Sequence, residues 1–258
     1  MFKIYLRIFI LSLSFISNFA FGSQENYFYE VQFGNLIVGQ AEVNIKKSNK
    51  IIELNSKSKT AGVLNVFYEY EGELSSSSVK KGDIWFPNKF LTRGILNNKL
   101  RSSTLYWSAE NAVSYENNPI LDLKKVHAID KETLKRVADP ITAFINVIER
   151  IDSKKNCDTS FKIFDGRRRY DLKIKTLGKE NLVNDRPKSF SGNVTTCGVK
   201  MIPIGGHRLK SKWKPKQDKF SDFKIYFGKT SSGLLFPVRM NLERWFGTVV
   251  VRLINKNM

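Results

Sequence analysis

Histidine and cysteine are scarce in this chain of 258 residues, which carries two of each: His127 and His207, Cys157 and Cys197. With only two histidines, and two cysteines that do not sit at metal-ligand spacing, a zinc site would be poorly supplied. The reading is therefore no metal and no cofactor. Catalytic signatures are missing too, with no G-x-S-x-G elbow, no H-E-x-x-H and no C-x-x-C. Proline is sparse at seven residues, and no Pro-, Gly- or Ser-rich stretch marks a boundary between domains. No internal repeat is present. After the first 22 residues no segment approaches the roughly 18 apolar residues of a membrane-spanning helix. Acids are outnumbered, 24 against 43 Lys and Arg.

What is present begins with residues 1–22. Lys3 and Arg7 precede the apolar run Ile8 to Ile16, and Ala20-Phe21-Gly22 stands before Ser23 as a small-x-small cleavage site. This is the pattern of a secretory signal peptide. It predicts an exported chain in the periplasm, cut near Gly22, with residues 23–258 forming a single β-rich domain. Cleavage would remove Lys3 and Arg7 and lower the net charge from +19 to +17. So basic a surface attracts anionic lipid headgroups, glycolipids or acidic polymers in a salt-dependent way, although it also serves simply as a solvated face. Nucleic acid, the usual partner of such charge, is set aside because the leader pattern predicts export. With no third cysteine after residue 22, Cys157 and Cys197 are expected to pair in an oxidising compartment.

Alternation with period two begins at Tyr27, Tyr29, Val31 and Phe33, with Glu30 and Gln32 on the other face. Further strand-like runs are Leu36 to Ile45, Ile51 to Ser56, Phe67 to Leu74, Ile84 to Leu91, Leu100 to Ser108 and Ala112 to Tyr115. The pattern changes at Asp139-Pro140, an N-cap followed by proline at the first helical position. Ile141, Phe144, Ile145, Ile148 and Ile151 then fall on one stripe of a helix ending near Ile151. Strands resume at Ser160 to Phe164, Arg167 to Lys175, Asn193 to Ile204, Phe220 to Phe227, Leu234 to Met240 and Trp245 to Leu253. Gly205-Gly206 and Lys210 to Lys219 read as exposed loop. The fold class is mainly β (α+β), with one amphipathic helix packed against the sheet.

The most distinctive local sequence is Phe164 to Leu172, FDGRRRYDL. Asp165-Gly166 predicts a two-residue type I′ hairpin turn. Its arginines admit two readings: bidentate recognition of a phosphate or carboxylate, or pairing of Arg167 and Arg169 with nearby carboxylates, Asp171 orienting one of them.

Together the Asp139-Pro140 helix, a cysteine after it, FDGRRRYDL, Cys197, the Ile202-Pro203-Ile204-Gly205-Gly206 run, and the opening strands with Gly34 and Gly39 resemble a bacterial envelope family catalogued as domain of unknown function 3108. The resemblance implies an exported, mostly β protein of Gram-negative bacteria, and it supplies no catalytic residue. One helix on a long antiparallel sheet is, by fold analogy, similar to the open half-barrel of periplasmic lipoprotein carriers.

Three functions remain open. The first is a non-catalytic carrier of a lipid or anionic glycolipid, with Arg167, Arg168, Tyr170, Trp85 and Trp107 as the candidate binding residues. Trp213, Trp245, Phe86 and Phe246 supply further aromatics for such a cavity or for an ordinary core. The second is a basic assembly factor making peripheral contact with an anionic membrane or cell-wall polymer, with a packed interior. A hydrolase using His207, in the loop after Gly205-Gly206, is third.

Overall fold

A computed structural model describes residues 23–210, 219–244 and 247–255. The expected signal peptide, Trp213, Trp245, Phe246 and most of the Lys210 to Lys219 loop lie outside the described residues. A seven-strand meander comes first: β1 (Ser23–Phe33), β2 (Leu36–Lys47), β3 (Ile51–Thr60), β4 (Tyr70–Lys81), β5 (Ile84–Leu96), β6 (Lys99–Trp107) and β7 (Val113–Asn118). A short helix, α1 (Leu64–Phe67), interrupts it between β3 and β4. After a 3-10 turn at Lys131–Leu134 comes α2 (Pro140–Lys154). Six strands follow: β8 (Thr159–Phe164), β9 (Arg169–Leu182), β10 (Gly192–Gly205), β11 (Phe223–Lys229), β12 (Leu235–Arg244) and β13 (Gly247–Ile254).

All thirteen form one antiparallel sheet in the order β7-β6-β5-β4-β3-β2-β1-β13-β12-β11-β10-β9-β8. Every neighbour is also a neighbour in sequence except at the seam, where β1 pairs with β13 from Phe28↔Ile254 to Phe33↔Val249. β7 and β8 are thus the two edges, yet they are consecutive strands, and α2 is the connection between them. A chain crossing from one edge to the other in about 40 residues pulls the sheet into a curve with the helix inside it.

The local causes are legible. The Asp139 carboxylate accepts from the Ile141 and Thr142 amides at 2.9 and 3.0 Å, satisfying two of the first-turn donors, and Pro140 follows at the first helical position. Lys155 ends the helix in the left-handed region, φ +58°, so α2 runs one turn past Ile151. Asn97 and Asn98, φ +46° and +63°, make the two-residue turn between β5 and β6.

Several details differ from the sequence expectation. Gly205-Gly206, expected as exposed loop, is buried, and Gly205 ends β10. Phe67 ends α1, and the next strand begins at Tyr70, because Gly62 at φ +60° turns the chain out of the sheet. Residues 165–168 make a four-residue loop instead of a two-residue type I′ turn, since β9 starts at Arg169, paired with Phe164, and only Gly166 has positive φ. Arg167 and Arg168 are therefore turn residues and not the first residues of the strand expected over Arg167 to Lys175. The helix also buries more than one stripe: Thr142, Ala143 and Val147 are buried along with Ile145 and Ile151, while Ile141, Phe144 and Ile148 are half-buried. A helix lying inside a curved sheet meets protein on more than one side, which a stripe argument for a surface helix does not anticipate.

The core follows from this placement. Tyr27, Tyr29, Ile45, Leu54, Trp85 and Phe236 pack with Ile145 of the helix, and Tyr27 stacks on Phe236 with ring centroids 4.2 Å apart. Cys157, just past the helix, is bonded to Cys197 in β10, tying the helix exit to the sheet. On the free side of β8, Ala138 donates to Lys162 and accepts from Phe164, so that sheet edge is covered.

Candidate functional site

Strand register assembles the concave face in rows. Nearest one end, Lys47, Ile52 and Ser78 form a row, followed by Ile45, Leu54, Ser76, Phe90 and Leu105. Helix α2 fills these two rows. The Ser76 hydroxyl donates to Asp139 at 3.2 Å, Ser78 and Thr142 share a hydrogen bond of 2.7 Å, and Lys47 pairs with Glu149 at 2.7 Å.

Beyond the helix the side chains shrink. The next row is Tyr27, Val43, Ser56, Leu74 and Thr92, and the row after it is Tyr29, Ala41, Ser58, Gly72, Gly94 and Arg101. Four small residues in register across β2 to β5 leave the concavity unfilled. The Tyr70 ring lies over the two glycines, so a Cβ on Gly72 would collide with its hydroxyl and one on Gly94 would sit 3.2 Å from Cε2. The result is an open chamber of about 520 Å³ with Ser56, Ser58, Leu74 and Thr92 on its floor, and Tyr70 and Leu96 toward its mouth. Its size falls in the range of small-molecule sites.

Four cations ring that mouth: Lys99, Arg101, Arg167 and Arg208. By alternation along β6, Lys99 and Arg101 share a face with Leu105 and Trp107 and so point to the concave side. Arg167 arrives from the far edge of the sheet. Its Nη2 donates to the carbonyls of Ser102, Asn118 and Pro119 at 3.1, 3.0 and 2.8 Å. Beside it, the Asn117 amide donates to Gly166 O at 2.8 Å. A Cβ on Gly166 would lie 2.7 Å from Ser103 Cβ, so glycine permits both the turn and this approach. Partial burial, and then the Arg101 charge, lower the Arg167 pKa from its usual value. Among the described residues, Lys99, Arg101 and Arg208 have no carboxylate partner within 4 Å.

The other sequence candidates lie away from the chamber. Arg168 pairs with Asp165 at 2.9 Å in the hairpin turn. Tyr170 is buried with Ala143 and Ile163, and that burial raises its hydroxyl pKa strongly. Trp85 is buried beside the helix, where Asn146 Oδ1 accepts from its backbone N–H at 2.9 Å. Trp107 donates its indole N–H to Val137 O at 2.9 Å within a separate core cluster. Arg169, nearly buried, pairs with Asp171 at 2.7 Å and donates to Thr133 O. His207 has its Nε2 enclosed without a hydrogen-bond partner among the described residues, and burial followed by the Arg168 charge lowers its pKa.

Lys99 and Arg101 are not among the sequence candidates, and Arg208 enters there only as the neighbour of His207 in a basic loop. The first two carried a signal, because cations at two successive inward positions of a strand otherwise lined by Leu105 and Trp107 have no place in a packed core.

A second groove, of about 580 Å³, lies on the convex side. There Glu42, Lys57, Glu73 and Arg93 follow one another across β2 to β5. Acids and bases alternate along that row, as on a solvated sheet face.

The match to a family model decides the chain's relationship: the description is "Protein of unknown function (DUF3108)", and residues 29–254 are covered. The chain belongs to this family. No curated protein matches it. Among solved structures, the beta-barrel-like protein of domain of unknown function DUF1849 from Brucella abortus aligns over 92% of this chain and 97% of that chain, with 9% identity and a TM-score of 0.49. The family match spans both the chamber and the Arg167 turn.

Proposed function

We propose that this member of the DUF3108 family is an exported protein of the bacterial envelope that binds an anionic amphiphile. The apolar part packs on Leu74, Tyr70 and Leu96, and the anionic head meets Arg101, Arg208 and Lys99 at the mouth. The observation that carries the reading is the union of an unfilled concave row with three cations that have no carboxylate partner. Charges gathered without counter-charge repel one another, and an anion held there removes that cost.

Export is supported by the Cys157–Cys197 bond together with the leader-like residues 1–22. A binder is favoured over an enzyme by the lining itself. Among the described residues the lining includes no histidine, and the one carboxylate residue at its edge, Glu73, lies on the convex row, 3.8 Å from Arg93. The serine and threonine hydroxyls there thus have no general base beside them.

The test is titration of a fluorescent fatty acid and of a soluble phosphorylated glycolipid, each below its micelle concentration, at low and moderate salt. Saturable binding is expected, weakened by salt and by Arg101→Ala. A charge-assisted contact is worth about 1.5–3 kcal/mol, roughly a 10- to 150-fold loss of affinity. Absence of saturable binding by the wild type rules out the reading, while binding untouched by Arg101→Ala removes the head-group assignment.

A further inference from the structure

The end of the sheet that carries the chamber mouth also carries a concentration of exposed apolar residues. On one bank, the segment between β3 and β4 presents Val66 at 79% and Phe67 at 68% exposure, with Val63 and Tyr68 also exposed. This bank is fixed to the mouth. Ala61 N donates to Val38 O, Asn97 N donates to Glu69 O at 2.9 Å, and Glu69 N donates to Asn97 Oδ1 at 3.0 Å. Two residues past Tyr68 the chain becomes the Tyr70 wall of the chamber.

On the opposite bank, the segment after β7 presents Ile120 at 87% and Leu123 at 71% exposure, with Leu209 beside them. Pro119 O accepts from Arg167, and Leu209 N donates to Lys125 O at 3.0 Å, so this bank is built onto the chamber's cationic side. Scattered single exposed apolar residues need no explanation, but aliphatic and aromatic side chains at the tips of loops around one opening do.

We infer that this rim is a docking surface for an anionic lipid bilayer, with the chamber mouth facing the membrane. Charge selects this occupant. Lys99, Arg101 and Arg208 line the mouth, Lys124 is exposed next to Leu123, and no ion pair engages these four among the described residues. Apolar tips backed by basic side chains match the two layers of an anionic membrane surface, acyl boundary and headgroup. A protein partner would call for a continuous packed groove, whereas these residues project from separate loops. No helix among the described residues is long and apolar enough to cross a membrane.

The inference goes beyond ligand binding and stands apart from it. Its test is co-sedimentation of the folded, disulfide-bonded protein with vesicles of phosphatidylglycerol and phosphatidylethanolamine, against vesicles of phosphatidylcholine alone. Binding to the anionic vesicles is expected, falling with salt and at least tenfold weaker to the neutral ones. Paired variants Val66→Ser with Phe67→Ser, and Ile120→Ser with Leu123→Ser, change exposed positions and leave the fold intact. Each pair is expected to weaken binding tenfold or more. Ile51→Ser with Ile84→Ser, exposed apolar residues at the opposite end, is the control and leaves binding unchanged. Phe67→Trp gives a direct readout, a blue-shifted emission on adding anionic vesicles. Absence of binding to those vesicles overturns the inference and leaves the rim to a protein partner, and so does binding that neither rim pair weakens. The rim pairs retain soluble amphiphile binding if the chamber acts as proposed, so loss of one property without the other shows which reading has failed.

Discussion

Arg167 and Pro119 belong to opposite ends of a thirteen-stranded sheet, yet the Arg167 Nη2 lies 2.8 Å from the Pro119 carbonyl oxygen. The sheet is closed here by side chains instead of by a backbone ladder. Arg167 and Asn117 provide the polar contacts, and Tyr115 packs edge-on against Phe164 with centroids 4.8 Å apart. A guanidinium suits the role, since its fixed fork of donors serves several carbonyls at once where a lysine ammonium holds no such geometry.

Arg167→Ala therefore costs stability, which distinguishes it from Arg101→Ala. Loss of a charged donor's hydrogen bonds at a half-buried site is worth about 1.5–3 kcal/mol. Urea denaturation is expected to show a lowered midpoint for Arg167→Ala and Arg167→Lys, and no lowering for Arg101→Ala, which relieves repulsion among the mouth cations. Equal midpoints for all three would mean that the closure contributes nothing to the native state.

Asp139 anchors the helix to the sheet as well as capping it. Its carboxylate is fully buried and accepts from two backbone amides, from Ser76 and from the Thr142 hydroxyl. Truncation removes an N-cap, worth up to about 2 kcal/mol, and strands buried hydroxyls at a further cost of about 1–2 kcal/mol. Asp139→Ala is expected to destabilise by about 3 kcal/mol and Asp139→Asn by less, because the amide oxygen still caps. Hydrogen exchange of the first turn of α2 should rise in the alanine variant, and an unchanged pattern would mean the helix is held by packing alone.

How much of this was legible beforehand depends on the range of each signal. Period-two alternation at Tyr27 and Tyr29, the Asp139-Pro140 start and the lone cysteine pair are local, and they located most strands, the helix and the disulfide. The chamber is not local. Ala41, Ser58, Gly72 and Gly94 are unremarkable in their own strands, and they become a row only when four hairpin registers are set. The run of three arginines marks Arg167 in the sequence, but its donors are directed at backbone carbonyls because consecutive strands at opposite edges meet there. The loop of four residues that puts it in reach was hidden behind an Asp-Gly pair that usually marks a tighter turn.

The Cys157–Cys197 bond closes a loop of 40 residues that contains the β8–β9 hairpin. In the chain-entropy model such a closure contributes about 4 kcal/mol. Cys197→Ser leaves a free thiol at Cys157 and is expected to lower stability by about that amount, as is reduction of the wild type. A Cys157→Ser, Cys197→Ser double variant with an undiminished unfolding midpoint would show that the bond is dispensable for this fold.

Acid stability supplies the last prediction, and it turns on Asp185. Arg252 Nη2 donates to Asp185 Oδ2 at 2.7 Å, Arg252 Nε donates to Oδ1 at 3.1 Å, and Arg239 pairs with the same carboxylate at 3.1 Å. Arg252, which also donates to Gln32, is largely buried. The Arg252 hydrogen bond comes first among the causes holding the Asp185 carboxyl below its usual 3.8, with the Arg239 charge adding to it. The unfolded chain thus binds the proton more readily than the native one, so the stabilisation is complete above the unfolded value and is lost as pH falls through the depressed native one. Asp139 has the opposite sign: burial raises its pKa, so its ionisation erodes stability as pH rises above about 4. Asp185→Asn should remove about 1–2 kcal/mol near neutral pH, a reduced figure for breaking a buried pair because Asp185 is itself a third exposed. Denaturation midpoints of wild type and variant are expected to converge as pH falls below about 4. If the gap instead stays constant down to pH 2, the carboxylate charge is not what holds Arg252.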